Sequence, residues 1–82
     1  MADRVEAYIL IQTAVNAPDV ARMIRSIPGV GSADDVSGPY DVIVRVVAPD
    51  LNALGELVVS RIQAVDGITR TLTCPITRFE TD

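Results

Sequence analysis

A chain of 82 residues holds one small domain and leaves no room for a second unit with its own core. Its 11 acidic against 7 basic residues give a formal charge of −4, and the dispersed arginines argue against direct nucleic-acid binding, which needs a concentrated basic footprint. Cys74 as the single cysteine excludes an internal disulfide, no signal-peptide pattern opens the sequence, and no apolar run nears the roughly 20 residues of a membrane helix, so a reducing cytoplasm and no membrane partner are expected.

The first strand is marked by Val5, Ala7, Ile9 and Ile11 alternating with Glu6, Tyr8, Leu10 and Gln12, a two-residue period. Tyr8 and Leu10 make its second face partly apolar as well. Pro18, with Asn16 as a candidate cap ahead of it, opens a helix whose apolar positions are Val20, Met23, Ile24 and Ile27, and Pro28-Gly29 stops it. A short polar strand over residues 30–37 meets the turn signal Gly38-Pro39, and residues 41–47, rich in β-branched side chains, return as the second arm of a hairpin.

Asp50 then caps a second helix with Leu51, Leu54, Val58, Ile62 and Val65 on one face, up to the stop at Asp66-Gly67. The last strand, residues 68–76, puts Thr69, Thr71 and Thr73 on one face and Arg70, Leu72 and Cys74 on the other, with Pro75 marking an edge or an end. Ile24-x-x-Ile27-Pro28-Gly29-Val30 and Ile62-x-x-Val65-Asp66-Gly67-Ile68 repeat one pattern of helix end, glycine stop and strand start. Strand-helix-strand twice over predicts an α+β, ferredoxin-like βαββαβ sandwich, a four-stranded antiparallel sheet with two helices on one face.

Such a sheet leaves its second face bare, and 49% apolar residues exceed what the inward faces of so small a fold need. A homo-oligomer is therefore expected, a dimer formed by stacked sheets and rings of dimers beyond it.

Catalytic chemistry has little to build on. There is no histidine, and Cys74 lacks the context of a nucleophilic dyad and reads as a small buried thiol. Asp34-Asp35 and the acidic end, residues 80–82, have no ordered metal-ligand spacing and read as solvated faces, so no metal and no cofactor are expected.

Ser37-Gly38-Pro39-Tyr40-Asp41, followed at a distance by Gly67-Ile68-Thr69-Arg70-Thr71-Leu72-Thr73, resembles the RAM domain of the Lrp/AsnC family, and the match covers nearly the whole chain. With only four residues ahead of the first strand, residues 1–82 are similar to the stand-alone variant without a helix-turn-helix domain. The resemblance implies an effector-binding module of the transcription-regulator type, taking an amino acid or similar molecule between neighbouring dimers, with full-length Lrp/AsnC proteins as further partners.

Physical chemistry agrees with that implication, since turn amides complement a carboxylate and Asp41 complements an ammonium group. The ligand-binding candidates are Gly38, Pro39, Tyr40, Asp41, Thr69, Thr71 and Thr73. Each has an ordinary structural role open to it: Gly38 and Asp41 in forming the turn, Tyr40 in packing at an interface, the threonines as strand residues. Two other readings stay open, a dimeric α+β-barrel enzyme of similar fold and a purely structural oligomer.

Overall fold

The structure is a computed structural model that describes residues 4–15 and 17–77. Its elements are β1 (Val5–Thr13), α1 (Val20–Arg25), β2 (Val30–Asp35), β3 (Val42–Ala48), α2 (Leu51–Leu57), which runs on as a π-helical turn (Val58–Ile62), and β4 (Ile68–Pro75). The sheet order is β2-β3-β1-β4, every neighbouring pair antiparallel, as expected of the ferredoxin-like sandwich.

The alternation read from the sequence decides the layers. Ala7, Ile9 and Ile11 of β1 lie beside Val46, Val44 and Val42 of β3, and all six are buried with Ala33, Val20, Ile24, Leu54, Val58 and Ile62 in one core between sheet and helices. On β4 the same layer continues as Thr71, Thr73 and Pro75, opposite Ile11, Ile9 and Ala7. The edge strand therefore meets the helices with half-buried hydroxyl side chains where the inner strands use closely packed aliphatics.

Both helix ends repeat one device. The Ile27 amide donates to the Ile24 carbonyl at 2.9 Å and the Val65 amide to the Ile62 carbonyl at 3.0 Å, after which Gly29 and Gly67 turn the chain at φ +98° and +100°. That left-handed conformation is cheap only for glycine, which is why the motif recurs with a glycine each time.

Several expectations need correction. β2 ends at Asp35, because the ladder closes at Asp35 opposite Val42 and the chain leaves into the turn. α1 starts at Val20 with Asp19 at its cap position, one residue after Pro18, while the candidate cap Asn16 and the acidic 80–82 end lie outside the described residues. Asp50 does cap α2, accepting from the Ala53 amide at 2.8 Å. Met23 and Leu51, assigned to the apolar helix faces, are 43% and 63% exposed, since the sheet below covers only the central stripe of each helix. Cys74 is exposed, not buried: it lies opposite Tyr8 on the sheet face that carries no helix.

That bare face has an apolar centre of Tyr8, Leu10, Ile43 and Leu72, with Tyr8 and Leu72 more than two-fifths exposed. Gln12, Arg70 and the Arg45–Glu6 pair stand around this centre. Arg45 donates to Glu6 at 2.6 Å, and this bond first, with the carboxylate charge second, raises the guanidinium pKa above its ordinary value. An apolar centre inside a polar rim is the layout of a protein interface.

Candidate functional site

The 38–41 turn is tied to the end of the sheet by four bonds. Val36 donates its amide to the Asp41 carbonyl at 2.9 Å, and the Asp41 amide donates to the Ile11 carbonyl at 2.8 Å. Asp41 Oδ2 accepts from the Thr13 amide at 2.8 Å, and the Gln12 side chain donates from Nε2 to the Pro39 carbonyl at 2.9 Å. One function of Asp41 is thus structural, holding the end of β1. Its Oδ1 accepts no bond among the described residues, and the Gly38 and Tyr40 amides donate none. Gly38, at φ +146° with open space around it, lets the turn expose those amides, while Pro39 has no amide hydrogen to add. Tyr40 is half-buried.

The threonines form a second cluster, on β4. Thr69 is the extra residue of a bulge, because Arg70 pairs with Gln12 and Ile68 with Thr13, and its Oγ1 donates to the Gln12 carbonyl at 3.2 Å. Thr71 Oγ1 accepts from Gln63 Nε2 at 2.9 Å, which leaves the hydroxyl hydrogen available to a ligand acceptor. A shallow groove of about 250 Å³ runs over Gln63, Ile68, Thr69, Arg70 and Thr71. Thr71 and Thr73 also border a more apolar groove of about 480 Å³ under α2.

The two clusters share one end of the sheet, yet β1 lies between them, and two strand spacings set them roughly 10 Å apart. Neither groove includes any residue of the turn. Within one chain the seven candidates therefore form two separate clusters, the 38–41 turn and the β4 threonines. Sequence reading misses Gln63 and Gln12, whose amides orient Thr71 and the turn. The only trace of Gln63 is its place as the polar residue after Ile62, where the π-helical turn closes from the Gln63 amide to the Val58 carbonyl at 2.8 Å.

The sequence signature of the Lrp/AsnC ligand binding domain matches residues 6–79. The chain belongs to that family. A homocitrate synthase of Sulfurisphaera tokodaii is 37% identical over 73 residues, which are 87% of this chain and 16% of that enzyme, so the chain spans only a small part of this curated relative. The crystal structure of TTHA0845 from Thermus thermophilus superposes with a TM-score of 0.86 at 28% identity, over 95% of this chain and 99% of that one. The transcriptional regulator NMB0573 of Neisseria meningitidis, solved as an L-Met complex, has the same fold with a TM-score of 0.82 at 18% identity, over 95% of this chain and 53% of that one.

In this Lrp/AsnC domain the hairpin turn and the Gly67–Thr73 stretch that carries the family resemblance sit at one end of the sheet, as described above. Among the described residues no three acidic or cysteine side chains gather as a metal site, and no helix is long and apolar enough to cross a membrane.

Proposed function

We propose that this Lrp/AsnC domain is a cytoplasmic, non-enzymatic sensor that binds a free amino acid or a similar zwitterion between neighbouring copies and couples that binding to assembly. The observation that carries the reading is the division of the site. Among the described residues the 38–41 turn offers unpaired amides and a carboxylate oxygen that accepts no bond, the threonine cluster offers hydroxyls, and β1 separates the two. A free carboxylate oxygen complements an ammonium group and unpaired turn amides complement a carboxylate, the two charges of an amino acid. The L-Met complex of NMB0573 supports an amino acid as the class of effector.

Assembly begins with the bare sheet. Stacking two copies about a twofold axis covers Tyr8, Leu10, Ile43 and Leu72 on both, and dimers then meet so that the turn of one faces the threonines of another. The output of binding is then a change in assembly. The domain's likeness to part of a regulator and to part of a homocitrate synthase favours a portable module, and mixed assembly with full-length Lrp/AsnC proteins follows from the same surfaces.

Leu72→Glu tests the coupling, because it places a charge in the centre of the sheet face and leaves turn and threonines untouched. Light scattering should give a monomer, and calorimetry should find no binding of the amino acid that the wild-type protein takes. A monomeric variant that binds this amino acid with wild-type affinity would place the whole site inside one chain and overturn the proposal.

A further inference from the structure

Between the end of α1 and the π-helical turn runs a groove of about 580 Å³ that shares no residue with the 38–41 turn or the β4 threonines. From α1 come Arg22 and Met23, with Ser26 and Ile27 one turn further on, since residues four apart stack on one helix face. From the other side come Ser60 and Arg61 of the π-helical turn, followed by Ala64 and Val65. Such turns inside helices are frequent at functional sites. Met23, Ile27, Ala64 and Val65 supply apolar surface, and no lining residue is acidic although the chain carries a charge of −4.

The two guanidinium groups of this groove have little to hold them within the chain. Arg25 donates from Nε to the Ala33 carbonyl at 2.8 Å and Arg45 binds Glu6 at 2.6 Å, so the contacts of those two arginines are structural. Arg22 meets Asp19 only at 3.4 Å, with both side chains more than three-fifths exposed, and a pair of that kind contributes little in water. Arg61 makes no hydrogen bond or ion pair among the described residues, even with Glu56, which borders the next groove beside it. Ser26 donates its hydroxyl hydrogen to the Met23 carbonyl at 2.8 Å, whereas the Ser60 hydroxyl makes no bond among the described residues and is available as a donor.

We propose that this groove is a second binding site, for an organic anion with an aliphatic chain: a carboxylate held by Arg22, Arg61 and the Ser60 hydroxyl, its chain laid along Met23, Ile27, Ala64 and Val65. Guanidinium forks match carboxylate geometry, and ligand grooves of this size are mostly apolar with a few polar groups that fix orientation. Both halves of the ligand are needed, because an exposed ion pair is weak by itself and a plain hydrocarbon leaves the arginines unused. A zwitterion fits poorly, since its ammonium group would lie beside two like charges. The groove and the amino-acid site therefore take different ligands.

Decanoate, kept below its micelle-forming concentration, is the probe, and the ε-methyl group of Met23, one of two methionines in the chain, is the reporter. Titration should move the Met23 methyl resonance in a saturable way. Each methylene removed from water adds roughly fourfold in affinity, so butanoate should bind at least about a hundredfold more weakly. Decylamine, with the same chain and the opposite charge, should leave the resonance in place. Arg22→Gln combined with Arg61→Gln should weaken decanoate binding by about tenfold, as exposed ion pairs contribute a few-fold each, while calorimetry finds amino-acid binding unchanged. Absence of a saturable Met23 shift, decylamine matching decanoate, or a double variant that binds decanoate like the wild type overturns the proposal. So does a decanoate response confined to Tyr8 and Leu72, which would put the ligand on the bare sheet face. A protein that binds decanoate at Met23 and takes no amino acid would refute the sensor reading alone.

Discussion

Asp41 Oδ2 accepts from the Thr13 amide, while its Oδ1 accepts no bond among the described residues and is the oxygen that the proposed function gives to the ligand. Alanine there would remove the structural tie together with the proposed ligand contact, so the informative variant is Asp41→Asn, which keeps an acceptor for Thr13 and removes the charge. Asp41→Asn should leave the thermal midpoint nearly unchanged and lower amino-acid affinity roughly thirty- to several-thousand-fold, the usual result of losing one side of a sheltered charge pair. Asp41→Ala should also cost about 1 kcal/mol of stability from the lost tie to β1. Denaturant melts beside calorimetry on the two variants separate these effects.

Two turn glycines make a second contrast at this scale. A Cβ on Gly67 would stand 2.7 Å from the Ala17 Cβ and 3.2 Å from Val20 Cγ2, at φ +100°, whereas one on Gly38 meets nothing. Gly67→Ala should therefore destabilise by about 2–3 kcal/mol, and Gly38→Ala by about 1 kcal/mol from backbone strain alone. Equal midpoints in urea for the two variants would contradict this ranking.

Along single elements, the features legible in the sequence are those whose causes are local: the two-residue period of β1, Asp50 at the head of α2, and the glycine stops repeated after Ile27 and Val65. Periodicity says which side chains share a face, but not which face another layer covers. For that reason it puts Cys74, Met23 and Leu51 inside, where the structure has them exposed. The tie from Thr13 to Asp41 spans 28 residues and that from Gln63 to Thr71 joins a helix end to an edge strand, so neither leaves a local pattern. The candidate residues themselves are legible because turn chemistry and the Gly67–Thr73 stretch are contiguous in the chain, while their separation by β1 belongs to the sheet order alone.

Gly55 gives the prediction proper to the element. With open space around its Cβ position and ordinary helical backbone, Gly55→Ala should strengthen α2 and stabilise the subunit by about 0.5–1 kcal/mol. Urea melts check this: a midpoint for Gly55→Ala at or below that of the wild type would contradict it.

For the whole molecule, the bare sheet face and the separation of the turn from the threonines are the two features on which the proposed function rests. The proposed assembly would cover the apolar centre of Tyr8, Leu10, Ile43 and Leu72 with a second copy and bring the 38–41 turn of one dimer to the threonines of another. The most direct measurement is calorimetric titration of each standard amino acid into the assembled wild-type protein and into Asp41→Asn of the same oligomeric mass. At least one amino acid should bind the wild type, and the variant should lose it. An assembled wild-type protein that binds none of them, or an Asp41→Asn protein that binds the same one equally well, would contradict an amino-acid sensor built on the 38–41 turn.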